Sequence, residues 1–446
     1  MSYPESSTSL PFPPLAGLNV IGPLTGTMGL GVAARNTLTM LQASRQAFTA
    51  VNINSGAGQE GTDDTFADLL ASPPTAPHPI NLFHLNIQEL INLFNSRPRW
   101  LDVVRHANAI VPFWELPRLP VMPDWAGVLS TMDIVLAPSR FILESIERSA
   151  PTVRAVHYPQ TVFLPANIRA QRDTFGLPQD AILFFMNIDV TSDLARKNPA
   201  AAMAAFRAAF APEERVFLVV KLGRTKSGYP WANASALLAE IASMPNTVVM
   251  DRHLSYAETL SLHASCDVYV SLHRAEGLGL NLLEAMSLGK PVIATAWSGN
   301  MDFMTPEDSC LVNHDLVPVQ ASHYFYRPAA IGPDQVWAEP SIAEAAVWMR
   351  RLADDESLRR RIGAAARAAM DARRSQVLEG RVLADLARAA AGPPTPSLKA
   401  QRSRLLRFRT SRVTAGMAAG QAFGGPPEHE GRTMTASTTS TNAAIS

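Results

Sequence analysis

The chain has 446 residues, 47% hydrophobic and 17% charged, enough apolar material for about two cores of ordinary domain size. Lys plus Arg and Asp plus Glu both number 39, which argues against a nucleic-acid binder with its basic excess. Two cysteines, Cys266 and Cys310, exclude a disulfide framework and a cysteine-based zinc cluster.

Residues 1–16 are polar and Pro-rich and are expected to be a disordered lead-in. They lack the basic start and apolar run of a signal peptide, and no apolar stretch is long enough to span a bilayer. The expected location is therefore the cytoplasm, with peripheral contact at the inner face of the membrane. Leu18–Gly22 predicts a strand, followed by Gly26, Gly29 and Gly31 and then a helix over 32–43. Further strands are expected at 48–53, 80–84, 109–114 and 134–137. Strands alternating with helical segments indicate βαβ units and a parallel sheet. Residues 17–165 thus read as one Rossmann-like domain.

Pro159, Pro165 and Pro178 punctuate a junction. The alternation restarts with strands at 181–186, 216–221, 247–250, 267–272 and 291–295 and a helix at 200–210. This second domain is expected over 175–372. Residues 342–391 are Ala/Arg-rich and helical, with 373–392 expected to pack back on the first domain. Pro393, Pro394 and Pro396 stop the helix. Residues 393–446 read as a disordered tail. The predicted fold class is α/β: two facing Rossmann-like doubly wound parallel-sheet domains with an interdomain cleft.

The chemistry concentrates between Cys266 and Asp302. A β-branched strand leads through a polar, Gly-containing turn into an apolar helix from Leu280 that stops at Gly289. Such a helix opens at the carboxyl edge of the sheet, where its free amides and dipole suit a diphosphate. Gly277 and Gly279 allow close approach to the backbone. Two carboxylates frame the turn, Glu276 and Glu284. Over eight helical positions they would lie about 12 Å apart, which suits two parts of an extended ligand. Glu284 sits among Leu282, Leu283, Ala285 and Met286, so its carboxylate needs a partner.

This segment, Arg274-Ala-Glu-Gly-Leu-Gly-Leu-Asn-Leu-Leu-Glu284, resembles the retaining glycosyltransferases of family 4, glycosyl transferases group 1. Their signature is a pair of glutamates separated by seven residues, as Glu276 and Glu284 are. The resemblance continues through Gly289-Lys-Pro-Val-Ile-Ala-Thr295 and Ser298-Gly-Asn300. It implies that Glu276 holds donor-sugar hydroxyls and Glu284 the ribose. The amides of Leu278, Gly279 and Leu280 would face sugar and phosphate. It also implies that Arg196 and Lys197 neutralise the leaving diphosphate. Many members carry a Gly-Arg pair after the preceding strand, where this chain has Asn187-Ile-Asp189. Lys221 is then a candidate to share the phosphate charge. The nucleotide base would fall near Arg252 to Leu254.

In the first half, Gly22 to Arg35 forms a glycine-rich loop entering a helix. It is neither the dinucleotide pattern nor a P-loop. By resemblance Gly29 and Gly31 lie at the cleft, near donor and acceptor. His84 ends an apolar strand and reads foremost as a structural hydrogen-bonder. Phe113-Trp-Glu-Leu-Pro117 matches a subset of the family and makes Glu115 a candidate at the reacting face. Ser139 and Arg140 are expected to face the cleft.

The expected activity is transfer of a hexosyl group, mannosyl or glucosyl, from a nucleoside diphosphate sugar to a saccharide or lipid-linked acceptor. Retention, polysaccharide or glycoconjugate biosynthesis and independence from any metal or other cofactor are part of that expectation. The chain has no Asp-x-Asp triplet. The alternatives are a nucleotide-sugar epimerase, a sugar phosphorylase, or a non-catalytic nucleotide-sugar-binding subunit. The tail residues Lys399, Arg402, Arg404, Arg407, Arg409 and Arg412, interleaved with Leu405, Leu406 and Phe408, suggest contact with an anionic membrane.

Overall fold

The computed structural model describes residues 17–53, 63–122, 124–223, 235–320, 326–380 and Leu386. The basic tail and the lead-in lie outside the described residues.

The first sheet is built from β1 (Leu18–Gly22), β2 (Phe48–Asn52), β3 (Ile80–Phe83), β4 (Ala107–Ile110), β5 (Ile134–Ala137) and β6 (Ala155–His157). The second uses β7 (Ile182–Asp189), β8 (Val216–Gly223), β9 (Thr247–Met250), β10 (Val268–Ser271), β11 (Val292–Thr295) and β12 (Cys310–Val312). Their orders are β2-β1-β3-β4-β5-β6 and β12-β11-β10-β7-β8-β9, with every neighbouring pair parallel. β1, β3, β4 and β5 are buried at every residue, as strands covered on both faces must be. In β7 the run Leu-Phe-Phe-Met meets helices on both faces. Phe184 packs on Phe206 and Phe210, and Phe185 packs on His263 and Tyr269.

The helices that matter for the cleft are α1 (Gly29–Ala43), α2 (Arg140–Ser149), α3 (Leu194–Lys197), α4 (Tyr256–Ser265), α5 (Leu280–Ser287) and α6 (Glu356–Leu378). Two expectations needed adjustment. The strand expected over 109–114 stops at Ile110, because Pro112 has no N–H to give a central ladder. The helical run from 342 is two helices, broken at Asp355, whose side chain accepts from Leu358 N and caps α6.

α6 is continuous from 356 to 378 and so runs through residue 372. Its Arg373 Nε donates to Gln160 O at 2.7 Å, and Val377 is buried in the first-domain core with Leu38 and Tyr158. Between β12 and the helix Ile342–Asp354 the chain makes an antiparallel pair, β13 (His314–Pro318) and β14 (Val336–Pro340). Tyr326, Ile331 and Trp337 from this insertion are buried in the core formed by Trp114, Leu116 and Trp125. A segment of the second domain thereby completes the core of the first. No helix among the described residues is long and apolar enough to cross a membrane.

Candidate functional site

Both sheets reverse their strand order once, between β1 and β3 in the first and between β7 and β10 in the second. At such a switch point the loops leaving the carboxyl ends diverge and open a crevice. The two crevices face each other across a cleft of about 380 Å³. Gly29 and Glu115 line it from the first domain. Arg196, Lys197, Lys221, Glu276, Gly277, Leu278, Gly279, Leu280 and Glu284 line it from the second. Gly31 is not among the lining residues; its glycine serves the loop itself, since a Cβ there would lie 2.2 Å from the Gly26 carbonyl oxygen.

The turn before α5 explains its glycines. Gly279 has φ +94, a left-handed conformation that costs an ordinary residue about 1–2 kcal/mol. No side chain caps α5; Leu282 N turns back to Gly279 O at 3.0 Å, which leaves the Leu280 and Asn281 amides at the start of the helix for an anion. Gly277 lines the cleft, and its bare Cα also meets the first domain. A Cβ there would lie 2.9 Å from Trp114 O of the first domain.

Across this turn sits an ion cluster. Lys197 Nζ donates to Glu276 Oε1, and Arg196 Nη1 lies 3.6 Å from Glu276 Oε2. Asp193 caps α3 by accepting from Arg196 N at 2.9 Å, which fixes the backbone under both cations. The guanidinium of Arg196 is buried, 5% exposed, rather than solvated as an ordinary surface arginine would be. It donates to Ala275 O at 2.8 Å and lies 3.7 Å from Glu115 Oε1. Burial opposes its charge, but Tyr326, Glu115, Glu276 and Asp193 together raise its pKa. Burial would likewise raise Glu276, yet Lys197, Arg196 and His273 hold it down at about 2. Arg196 and Glu276 therefore face each other as charged groups at neutral pH.

His273 locks the turn from below. Its ring meets Ser271 Oγ at 3.0 Å and Asn300 Oδ1 at 3.1 Å. Ser298 Oγ accepts from Glu276 N at 2.8 Å. The Ser298-Gly-Asn300 element singled out in the sequence therefore holds the carboxylate's backbone.

Glu284 is different in character. It is 3% exposed, and burial pushes its carboxyl up to about 8 against the pull of Tyr256, Arg35 and Lys221. Tyr256 from α4 and Arg35 from α1, one from each domain, are among the groups that favour its ionised form. His263 Nε2 stands 3.8 Å from Glu284 Oε2, and burial takes that imidazole down to about 3, so it is neutral. Arg35 donates to Leu24 O at 3.0 Å and Gly26 O at 2.7 Å, and pairs with Asp63 at 3.0 Å. It thereby ties the glycine-rich loop into shape beside Glu284.

The remaining candidates lie around this frame. His84 is fully buried, and burial lowers its pKa to about 3. Neither ring nitrogen has a hydrogen-bond partner among the described residues, so the structural hydrogen bond expected of it is not made; the imidazole packs as a neutral ring at the strand end. Ser139 caps α2 and donates to Gly277 O at 2.6 Å. Arg140 N donates to Asp302 Oδ1 at 3.0 Å while its side chain is exposed. His253 and Leu254 line the cleft, whereas Arg252 lies over the Phe175 ring. Sequence reading missed Tyr326, Tyr256, Asp63 and the structural work of Arg35. For Arg35 there was a signal: a cation within the apolar run Leu30-Gly-Val-Ala-Ala34 needs a buried partner.

Residues 188–315 match the family model for glycosyl transferases group 1. No curated protein matches the chain. Among solved structures, the fold is similar to sucrose-phosphate synthase from Thermosynechococcus elongatus. The TM-score is 0.57 and the identity 13%, over 83% of this chain and 98% of that one. It is also similar to a glycosyltransferase from Rickettsia africae ESF-5, with TM-score 0.56 and 13% identity over 85% and 99% of the two chains. An E. coli trehalose-6-phosphate structure bound with UDP-2-fluoro glucose gives TM-score 0.55 and 11% identity over 85% and 100%. The chain therefore has the two-Rossmann B-type fold, and the stretch that matches the group 1 glycosyl transferase model lies in its second domain.

Proposed function

We propose, from the premise of a group 1 glycosyl transferase sequence on a two-Rossmann fold, that this chain is a retaining hexosyltransferase. It moves a mannosyl or glucosyl group from a nucleoside diphosphate sugar to an acceptor hydroxyl. The observation that carries this reading is the Lys197–Glu276–Arg196 cluster facing the uncapped start of α5. A diphosphate and a polyhydroxylated ring are the ligands such a pairing of donors and acceptor serves.

In the proposed reaction the bond from the anomeric carbon to the diphosphate oxygen breaks, and a bond to the acceptor oxygen forms on the same face. The acceptor proton passes to the departing diphosphate. Lys197 and Arg196, with the α5 amides and Lys221, stabilise the charge that collects on the diphosphate. Glu276 holds sugar hydroxyls, and Glu284 takes the ribose. Glu115 approaches the sugar from the opposite wall. These cations do what a metal would do, so the reaction needs none. Closure of the two domains over the donor excludes water. The acceptor is a saccharide or a lipid-linked sugar, in polysaccharide or glycoconjugate synthesis, with the basic tail resting on an anionic membrane surface.

The test is a panel of nucleotide sugars scored by thermal shift, then by release of nucleoside diphosphate with and without acceptor. A true donor stabilises the fold by mass action. Acceptor-dependent release with the α-configuration of the donor kept in the product is expected. Turnover without an acceptor points to epimerisation, and phosphate dependence to a phosphorylase. Binding without any turnover points to a non-catalytic subunit. Vesicle binding unchanged by removal of 397–446 would dispose of the membrane contact.

A further inference from the structure

The insertion between β12 and the helix Ile342–Asp354 reaches the reacting face of the cleft. Tyr326 donates its hydroxyl hydrogen to Glu115 Oε2 at 2.7 Å. The other carboxylate oxygen, Oε1, lies 3.7 Å from Arg196 Nη2. The Arg196 guanidinium in turn sits 5.8 Å above the Tyr326 ring. Glu115 is thus held at both oxygens, one by the insertion and one by a cation of the candidate phosphate site.

The clamp around Glu115 is built, not incidental. The Tyr326 ring stacks on Trp114 at 5.6 Å with an interplanar angle of 15°. Trp114 Nε1 donates to Arg118 O at 2.7 Å, and Gln335 Nε2 donates to the same oxygen at 2.9 Å. Val121 N and Met122 N donate to Ala330 O. The loop from Trp114 to Met122 is therefore pinned along its length by residues 326–335. A carboxylate on a loop has many rotamers, and fixing one in advance lowers the cost of reaching a productive geometry.

We infer that Tyr326 is a positioning residue, which aims the Glu115 carboxylate into the cleft and couples it to Arg196 for the glycosyl transfer. This rests on the proposed function, since it assigns the insertion to the same site. It also gives the insertion a role beyond packing: the second domain reaches round to orient a carboxylate borne by the first. The acidic group on the acceptor wall and the cation on the leaving-group wall then respond together to the same phenol.

The experiment uses the full chain with whichever donor turns over, and isothermal titration with UDP, GDP and ADP. Tyr326→Phe keeps the ring on Trp114 and removes the bond to Glu115. It is expected to lower kcat about ten- to a hundredfold and to leave nucleoside diphosphate affinity within about twofold. In a Glu115→Ala background the same change should cost nothing more, because the phenol acts through that carboxylate. Gln335→Ala, which loosens the seam but leaves the phenol on Glu115, should lower thermal stability and cost clearly less kcat than Tyr326→Phe does. Multiplying losses in the double variant would overturn the inference. So would a kcat loss shared equally by Gln335→Ala, or a Tyr326→Phe chain that does not fold, since either makes the seam merely structural. If the wild type binds none of the three nucleotides and turns over no donor, the proposed function itself falls and this inference with it.

Discussion

The Ser139 hydroxyl donates to the Gly277 carbonyl at 2.6 Å, joining a helix cap of the first domain to the glycine-rich turn before α5 in the second. Nearby, Asp302 joins the same two domains, accepting from Arg140 N at 3.0 Å and meeting His157 Nε2 at 2.6 Å. The cleft is therefore closed by specific polar contacts beside the turn that carries Glu276.

Gly277→Ala should open this seam. Its new methyl group would lie 2.9 Å from Trp114 O, a backbone atom that cannot rotate away. Overpacking of this kind costs about 1–3 kcal/mol. Because the clash lies between domains, donor affinity should weaken together with stability. Titration of nucleoside diphosphate alongside chemical denaturation checks this. Unchanged affinity would mean that the cleft closes without this contact.

Lys197→Ala and Glu276→Ala should each lower kcat/KM about 100- to 1,000-fold, the range for losing one preorganised charge-stabilising group. The lysine variant should lose chiefly kcat, because charge on the leaving diphosphate grows only in the transition state. Steady-state kinetics with the donor found by thermal shift decides it. Transfer that survives both substitutions would end the assignment of these residues.

Stability of the ligand-free chain should carry a pH signature from Glu284. Its folded pKa, about 8, lies above the ordinary carboxylate value of 4.5, so the folded chain holds a proton that the unfolded chain releases. That contribution is complete below about pH 4.5 and is lost as pH rises through about 8. Glu284→Gln removes the ionisation. Between pH 5 and pH 8.5 its melting temperature should fall less than that of the wild type. Parallel melting curves for the two proteins would contradict the buried carboxyl.

Arg35→Ala should destabilise the fold by about 3–5 kcal/mol, the usual cost of leaving one member of a buried ion pair alone. Asp63 would lose its partner, and the Leu24 and Gly26 carbonyls would lose their donor. Asp63→Ala on top of Arg35→Ala should cost little more. Denaturant unfolding of the two single variants and the double variant measures the coupling, and strictly additive losses would refute it.

Much of the fold was readable because its information is local. Every parallel strand of both sheets except β6, β12 and the end of β4 announced itself as an apolar or β-branched run. Pro112 could have warned of that last exception. The cleft was readable for the same reason: Gly279 at positive φ, the apolar helix after it and the two glutamates lie within a dozen consecutive residues. The insertion was not readable. Nothing in the local sequence around Tyr326 says that it will stack on Trp114, 212 positions earlier.

What the sequence determined by itself was the alternation of strands and helices and the glutamate-framed motif that lines the cleft. Both follow from side-chain periodicity and backbone stereochemistry over a few residues. What only the tertiary structure decided was the state of each charge. Glu276 and Glu284 have the same side chain eight positions apart, yet one lies near pKa 2 and the other near 8. The first has Lys197 and Arg196 against it; the second is buried with weaker compensation from Arg35 and Tyr256. Coulombic and desolvation energies depend on distance and burial in three dimensions, and spacing along a chain carries neither.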